Sequence, residues 1–305
     1  MMNYDEFKTS VVKSIAKFLP TGYIAVLTSC KKVNKMVDGL CIRKEDSSIG
    51  ANIRLEEVYE AYQEEQDLQD VLGRYISSAV NSLEENAMEL MQNFKVSIEH
   101  LDDHIYYQLV NAEWNAHLME NCPHRRYQDL LIVYRILVEE ESEGYGSALI
   151  DNRLAKNIGL TEEELFELAE NNTPSLFPVM EKSIWDVLYD IDPEVTEATI
   201  PRDEMMMTVL SNDRGMQGST VILYPGVLKK IADRHGSDLI LLPSSVHEWI
   251  YLIDNGEMDI ETIRGMVYEI NRDQVEEDER LSDNVYRYCR ETDTFEVILD
   301  QVLAE

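Results

Sequence analysis

The sequence predicts an α+β protein with antiparallel or mixed sheets and amphipathic helices packed on one face. Three observations carry that expectation. Short apolar runs rich in Ile, Val and Tyr alternate with polar turns, as in "DLILLPSS" and "VHEWIYLI". Other stretches repeat apolar residues at helical spacing, with Glu, Gln and Asp on the opposite side. In the last third the order strand, strand, helix, strand, strand, helix, strand departs from strict β-α alternation. At 305 residues and 44% hydrophobic content the chain is large enough to bury a real core.

Taken in order, Phe7, Val11, Ile15, Phe18 and Leu19 mark a first amphipathic helix ending at Pro20. "YIAVLTS" and "MVDGLCIRK" read as a β-hairpin. Two acidic helices follow, the second with Leu68, Val71, Leu72, Tyr75, Ile76, Ala79, Val80 and Leu83 on one stripe. "HIYYQLVN" reads as a strand, "AEWNAHLME" as a helix stopped at Cys122-Pro123, and "YQDLLIVYRILVE" as a long buried strand. "TEEE" at Thr161 is a capping box with Leu160 and Leu165 as its staple, so a helix starts near Glu162, and "NNTPSLFPV" is a connector.

"MMMTVLSN" and "GSTVILYP" predict a hairpin turning at Asp213 to Gly218, with Pro225 as first residue of the next helix and Gly236 as its left-handed cap. Asp259 caps a helix with Ile263, Met266, Val267 and Ile270 inward, and "NVYRYC" with "TFEVIL" closes the fold. "VLTSCKKVNKMVDGLCI" and "VLSNDRGMQGSTVIL" echo each other, as related modules or simply as two hairpins. The expected division is a hairpin with acidic helices in 1–100, a central α/β segment in 101–200 and a sheet module in 201–305, or one continuous fold.

A net charge of −32 argues against sequence-independent DNA binding, which needs a basic face, and no direct nucleic-acid binding is expected. It fits a solvated acidic surface, or a charge mimic of nucleic acid aimed at a basic groove. Residues 1–50 run the other way, with a basic "CKKVNK" element that could meet an anion or simply form a wet turn. Cys30, Cys41, Cys122 and Cys289 form no CxxC pair and read as reduced thiols. With no secretory signal and no apolar stretch long enough to span a membrane, the expected location is the cytoplasm.

Among candidate sites, Ser244, Ser245, His247 and Glu248 gather polar groups inside the apolar run "LLPSSVHEWIYL". The His-Glu pair suggests an HExxH zinc helix, but the fifth position is Tyr251, so no metal is expected. Read as two strands hinged at Pro243-Ser244-Ser245, the segment puts His247 and Glu248 on opposite faces. Asp283, in the "RLSDN" turn with Arg280, would join a catalytic cluster if the two segments met. Arg125 and Arg126 form a guanidinium pair able to clamp an anion or to answer local acid. His100 and His104 have the spacing of half a metal site, and Met205 to Met207 could form an adaptable binding surface. No P-loop, GxSxG elbow or GxGxxG turn is present, and no cofactor is expected.

Three runs beginning "DLLIVYRILVEEESEGYGSALIDNRLAKNIGL", "VLSNDRGMQGSTVILYPG" and "MVYEINRDQVEEDERLSDNVYRY" resemble a bacterial family, domain of unknown function 5688, abundant in Clostridia-like anaerobes. Leu-Pro-Ser-Ser-Val-His-Glu is its most characteristic run. The resemblance implies a bacterial, cytoplasmic protein and brings no activity, cofactor or catalytic residue with it. The expected function is a non-enzymatic interaction module with an acidic surface and a protein partner, a basic one by charge. The alternatives are an unfamiliar hydrolase or transferase using the Ser/His/Glu/Asp cluster, and an acidic nucleic-acid mimic.

Overall fold

The computed structural model describes residues 2–31, 33–45, 50–139, 145–191 and 207–299, and the chain divides into two compact units, Met1–Glu99 and His100–Glu305. All strand pairings among the described residues are antiparallel, in an α+β architecture.

In the first unit, α1 (Tyr4–Ser14) opens on an Asn3 capping box: the Asn3 side chain accepts from Glu6 N at 2.9 Å and Glu6 answers at the Asn3 N–H. The expected hairpin is β1 (Tyr23–Lys31) with β2 (Met36–Lys44), and a third strand, β3 (Gly50–Arg54), extends it. Two helices, α2 (Leu55–Glu65) and α3 (Leu68–Glu99), supply the apolar stripe read from sequence. Val71, Leu72 and Ile76 are fully buried against Phe7, Val11, Leu40 and Ile42. Lys32 of the basic turn lies outside the described residues.

The second unit opens with the short α4 (Leu101–His104) and holds two sheets over one core. In the four-stranded sheet β4 (Ile105–Asn111) pairs with one edge of β6 (Leu130–Glu139). The other edge of β6 is shared by β5 (His124–Tyr127) and β7 (Tyr145–Leu149), and α5 (Ala116–Asn121) precedes β5. The sequence run read as one strand from Tyr127 therefore breaks at Gln128-Asp129, a tight turn with Gln128 left-handed at φ 58. After α6 (Asn152–Ile158), helix α7 (Glu162–Leu176) starts at the expected Thr161 box, with Leu165 buried and Leu160 against the core. It runs on through Pro174, where a connector was expected. The helix there is tied to β4: Thr173 is buried, its hydroxyl donates to the Ala169 carbonyl one turn back, and it accepts from Tyr107 N of β4.

The six-stranded sheet has the order β13-β12-β10-β11-β9-β8, built from β8 (Val179–Ser183), β9 (Met207–Asn212), β10 (Leu239–Ser245), β11 (Glu248–Ile253), β12 (Tyr286–Cys289) and β13 (Thr294–Val297). Between β8 and β9 runs α8 (Ile184–Ile191); Met205 and Met206, like the Glu140–Glu143 acids, lie outside the described residues. The expected second strand of the β9 hairpin does not form. Gly218–Leu223 is instead a buried 3-10 helix, and Gly218 packs so close to the backbone of the β10-β11 turn that no side chain fits there. The echo between the two ends of the chain thus stops at Asn212.

Helix α9 (Val227–His235) begins after Gly226 rather than at Pro225, and Gly236 caps it in the left-handed region as expected. Its Leu228, Ile231 and Ala232 pack with Leu239, Leu241 and Trp249 and with Leu109, Ile132 and Tyr134 of the other sheet, so one core serves both. On the opposite face of the six-stranded sheet, α10 (Ile260–Asp273) covers Ile240 and Val285, N-capped by Asp259 as expected. Of its predicted inner residues only Val267 is buried; Met266 and Ile270 are 55% and 50% exposed.

Candidate functional site

The Leu241 to Leu252 run is a hairpin, but its corner is not at Pro243-Ser244-Ser245. Those residues stay in β10, where Pro243 pairs with Trp249 and Ser245 with Glu248, and the two-residue turn is Val246-His247. A proline fits here because β12 pairs β10 only as far as Leu241, so the absent N–H breaks no ladder bond on that side. His247 thus sits at the tip of the turn rather than on a strand face.

The turn is tied down on all sides. Ser245 Oγ accepts from His247 N at 3.0 Å, and Ser244 Oγ donates to Glu248 Oε1 at 3.0 Å. Val246 N donates to the Glu279 carbonyl at 2.7 Å, and the His247 carbonyl accepts from Ser211 Oγ at 2.7 Å. Beneath it the 3-10 segment supplies two more ties: Ser219 N donates to the Val246 carbonyl, and Trp249 Nε1 donates to the Ser219 carbonyl at 2.7 Å. The ring of His247 accepts at Nδ1 from Gln217 N, 3.1 Å away. In the neutral ring the proton therefore sits on Nε2, which faces Glu279 Oε1 at 3.6 Å.

Chemically, this arrangement spends its polar groups on itself. The one imidazole nitrogen able to take a proton is occupied by a backbone donor, and each serine oxygen is engaged by a neighbour in the same hairpin. Gly218 carries the arrangement sterically, since a Cβ there would lie under 3.0 Å from Ser211 Oγ, the His247 carbonyl and Asn212 N. Gly218→Ala should cost about 2 kcal/mol by overpacking against backbone that cannot retreat. Chemical denaturation would measure it, and an unchanged midpoint would contradict the packing described.

Asp283 is engaged elsewhere. Its carboxylate takes Arg272 at 2.8 and 3.2 Å and Asn271 Nδ2 at 2.8 Å, both from α10, while Arg280 donates to the Val275 carbonyl. The residue before it, Ser282, donates to Asp129 Oδ2 at 2.8 Å. Asp129 also accepts from Asn284 Nδ2 at 2.9 Å and the Tyr286 hydroxyl at 2.7 Å. One carboxylate at the β5-β6 turn therefore binds three donors from the segment entering β12. Burial, and then the Asp129 charge, hold the Tyr286 hydroxyl well above its ordinary value, so it stays a donor.

The arginine pair divides. Arg125 reaches both Glu162 oxygens and Glu163 at the start of α7, and its guanidinium lies 3.8 Å from the Phe166 ring centroid. The Glu162 bond comes first among the causes that raise its pKa, and the Tyr134 hydroxyl donates to the same carboxylate. Arg126 Nε donates to the Gln128 carbonyl. The acid that Arg125 answers is thus on α7. His104 Nδ1 contacts the His100 carbonyl at 2.8 Å, and among the described residues no three His, Cys, Asp or Glu side chains converge as metal ligands.

A groove of about 590 Å³ in the first unit is lined by Phe18, Gln69, Asp70, Arg74, Ser77 and Asn81, with none of the sequence candidates on it.

Residues 4–290 match the model of a family of unknown function, DUF5688. The chain belongs to that family. No curated protein and no solved structure matches it. The span shared with DUF5688 takes in the Val246-His247 turn, the Asp129 cluster and α10. Among the described residues no helix is long and apolar enough to cross a membrane.

Sequence reasoning singled out His247 but missed the roles of Gln217, Gly218 and Glu279, which meet it, and of Asp129, which gathers a separate cluster. Gln128-Asp129, immediately before the apolar run of β6, was the available signal for a turn. Nothing local marks Glu279, which reaches His247 only through the tertiary fold.

Proposed function

We propose that the chain is a cytoplasmic protein-interaction module that holds a basic partner through its acidic surface. The observation that carries this reading is the charge balance: 59 Asp and Glu stand against 27 Lys and Arg, so pairing every cation would still leave an excess of 32 carboxylates. Several of the cations are already paired with the chain's own acids at the surface. Arg234 pairs with Glu181, Arg272 with Asp283, Arg287 with Asp254, and Arg290 with Asp233. Such a field draws basic partners and raises their rate of encounter. Free thiols at Cys41, Cys122 and Cys289 agree with a reducing compartment.

A hydrolase or transferase built on Ser244, Ser245, His247, Glu248 and Asp283 has less behind it. The serines and His247 bond within their own corner, while Asp283 faces α10. The nucleic-acid mimic is a special case of the first reading, in which the partner's basic groove ordinarily holds phosphate.

The test is capture of proteins from a cell lysate on the immobilised chain, at about 50 mM and then about 500 mM salt. Partners held by charge should be retained at the lower concentration and released at the higher. Capture indifferent to salt would contradict the reading.

A further inference from the structure

We propose that the outer flank of α10 is a docking ledge for a basic amphipathic helix. This rests on the reading of the chain as an acidic binding module and gives that module an address.

Helix α10 buries Val267 and Asn271 and half-buries Ile260 and Ile263 over Ile240 and Val285. At 100° per residue, Met266 and Ile270 follow on the flank of this stripe, one turn apart, and stay 55% and 50% exposed. Ile263, Met266 and Ile270 therefore line a continuous apolar edge at the spacing that a partner helix meets with its own i, i+3, i+4 anchors. Methionine at its centre adapts to the shape of what it receives.

Charge says what that partner is. The two cations of α10 are already engaged within the fold's own contacts: Arg264 donates to the Ile298 carbonyl at 2.6 Å, and Arg272, though exposed, is paired with Asp283. Its acids are turned outward. Glu269 and Asp273 are exposed, and each stands three residues beyond one ledge residue, Met266 or Ile270, on the solvent side. An apolar edge bordered by carboxylates, with the helix's cations already paired, is the complement of a helix carrying leucines on one face and Lys or Arg beside them.

The experiment compares the full chain with its Met266→Ser/Ile270→Ser variant. Both positions are half-exposed, so the variant should fold, with an unchanged circular dichroism spectrum. Three synthetic peptides are titrated by fluorescence anisotropy at about 50 mM salt: a Leu/Lys amphipathic helix, a scrambled Leu/Lys peptide of the same composition, and a Leu/Glu amphipathic helix.

The Leu/Lys helix should bind the wild type about tenfold more tightly than the scrambled peptide does, and the double variant should lose that tenfold. Equal binding of the Leu/Lys helix to both proteins would overturn the ledge and leave the acidic-surface reading standing. If neither Lys peptide bound the wild type, that reading would fall as well. Equal binding of the Leu/Glu helix would remove the charge argument. Self-association of the wild type abolished in the double variant would make the occupant a second copy of the chain, which also overturns the proposal.

Discussion

Trp249→Ala should destabilise the protein by about 3–5 kcal/mol, the largest single-residue effect expected in the second unit. Trp249 is fully buried and meets the Tyr286 and Phe295 rings edge-on at 5.1 and 5.8 Å between centroids. Truncation removes the central ring of this cluster and leaves a cavity beneath a turn that cannot collapse, because its backbone is hydrogen-bonded to Ser211 and Ser219. It also strips the Ser219 carbonyl of its indole donor. Trp249→Phe keeps most of the packing and loses only the donor, so it should cost about 1–2 kcal/mol. Urea unfolding of the two variants separates the contributions, and equal losses would mean that packing is not the dominant part.

Asp129→Ala should cost about 3 kcal/mol. It leaves Ser282 and Tyr286, both fully buried residues, and the Asn284 amide without their shared acceptor. The loss is that of a tie between the two sheets of the second unit, since Asp129 stands at the turn of one and Tyr286 begins an inner strand of the other. Asp129→Asn keeps one acceptor oxygen but turns an amide toward a donor, so about half the loss should remain. Full stability in Asp129→Ala would show that water replaces the carboxylate and that the tie is not needed.

What could be read from sequence follows from which forces are local. The Thr161 box, the Asp259 and Gly236 caps and the β12-β13 pair were legible because each is decided within a few residues. The 218–223 segment was misread because its apolar run suits a strand. Its place in the fold is set by packing on the β10-β11 turn, where Gly218 approaches the His247 carbonyl across 29 residues of chain. Pro174 was misread for the same kind of reason, since Tyr107, 66 residues away, bonds the helix at Thr173.

Met266 and Ile270 were placed inward from helical spacing alone. The spacing is right, but the sheet and its apolar cover accept only the Val267 side of α10. At the candidate site the sequence located the polar residues but not their partners. His247 looked reactive in isolation, and Gln217, Ser211 and Glu279, which surround it, come from two other segments.

The central claim is that the Val246-His247 corner is structural and that function resides on the acidic surface. The most direct test is the salt-dependent capture experiment run in parallel on the wild type and His247→Ala. The imidazole is partly exposed, and the Ser211 and Ser245 bonds of His247 use its backbone. The account predicts that the variant folds and captures the same proteins with the same release between about 50 and about 500 mM salt. A folded His247→Ala that no longer captures them, or a wild type whose capture ignores salt, would contradict it.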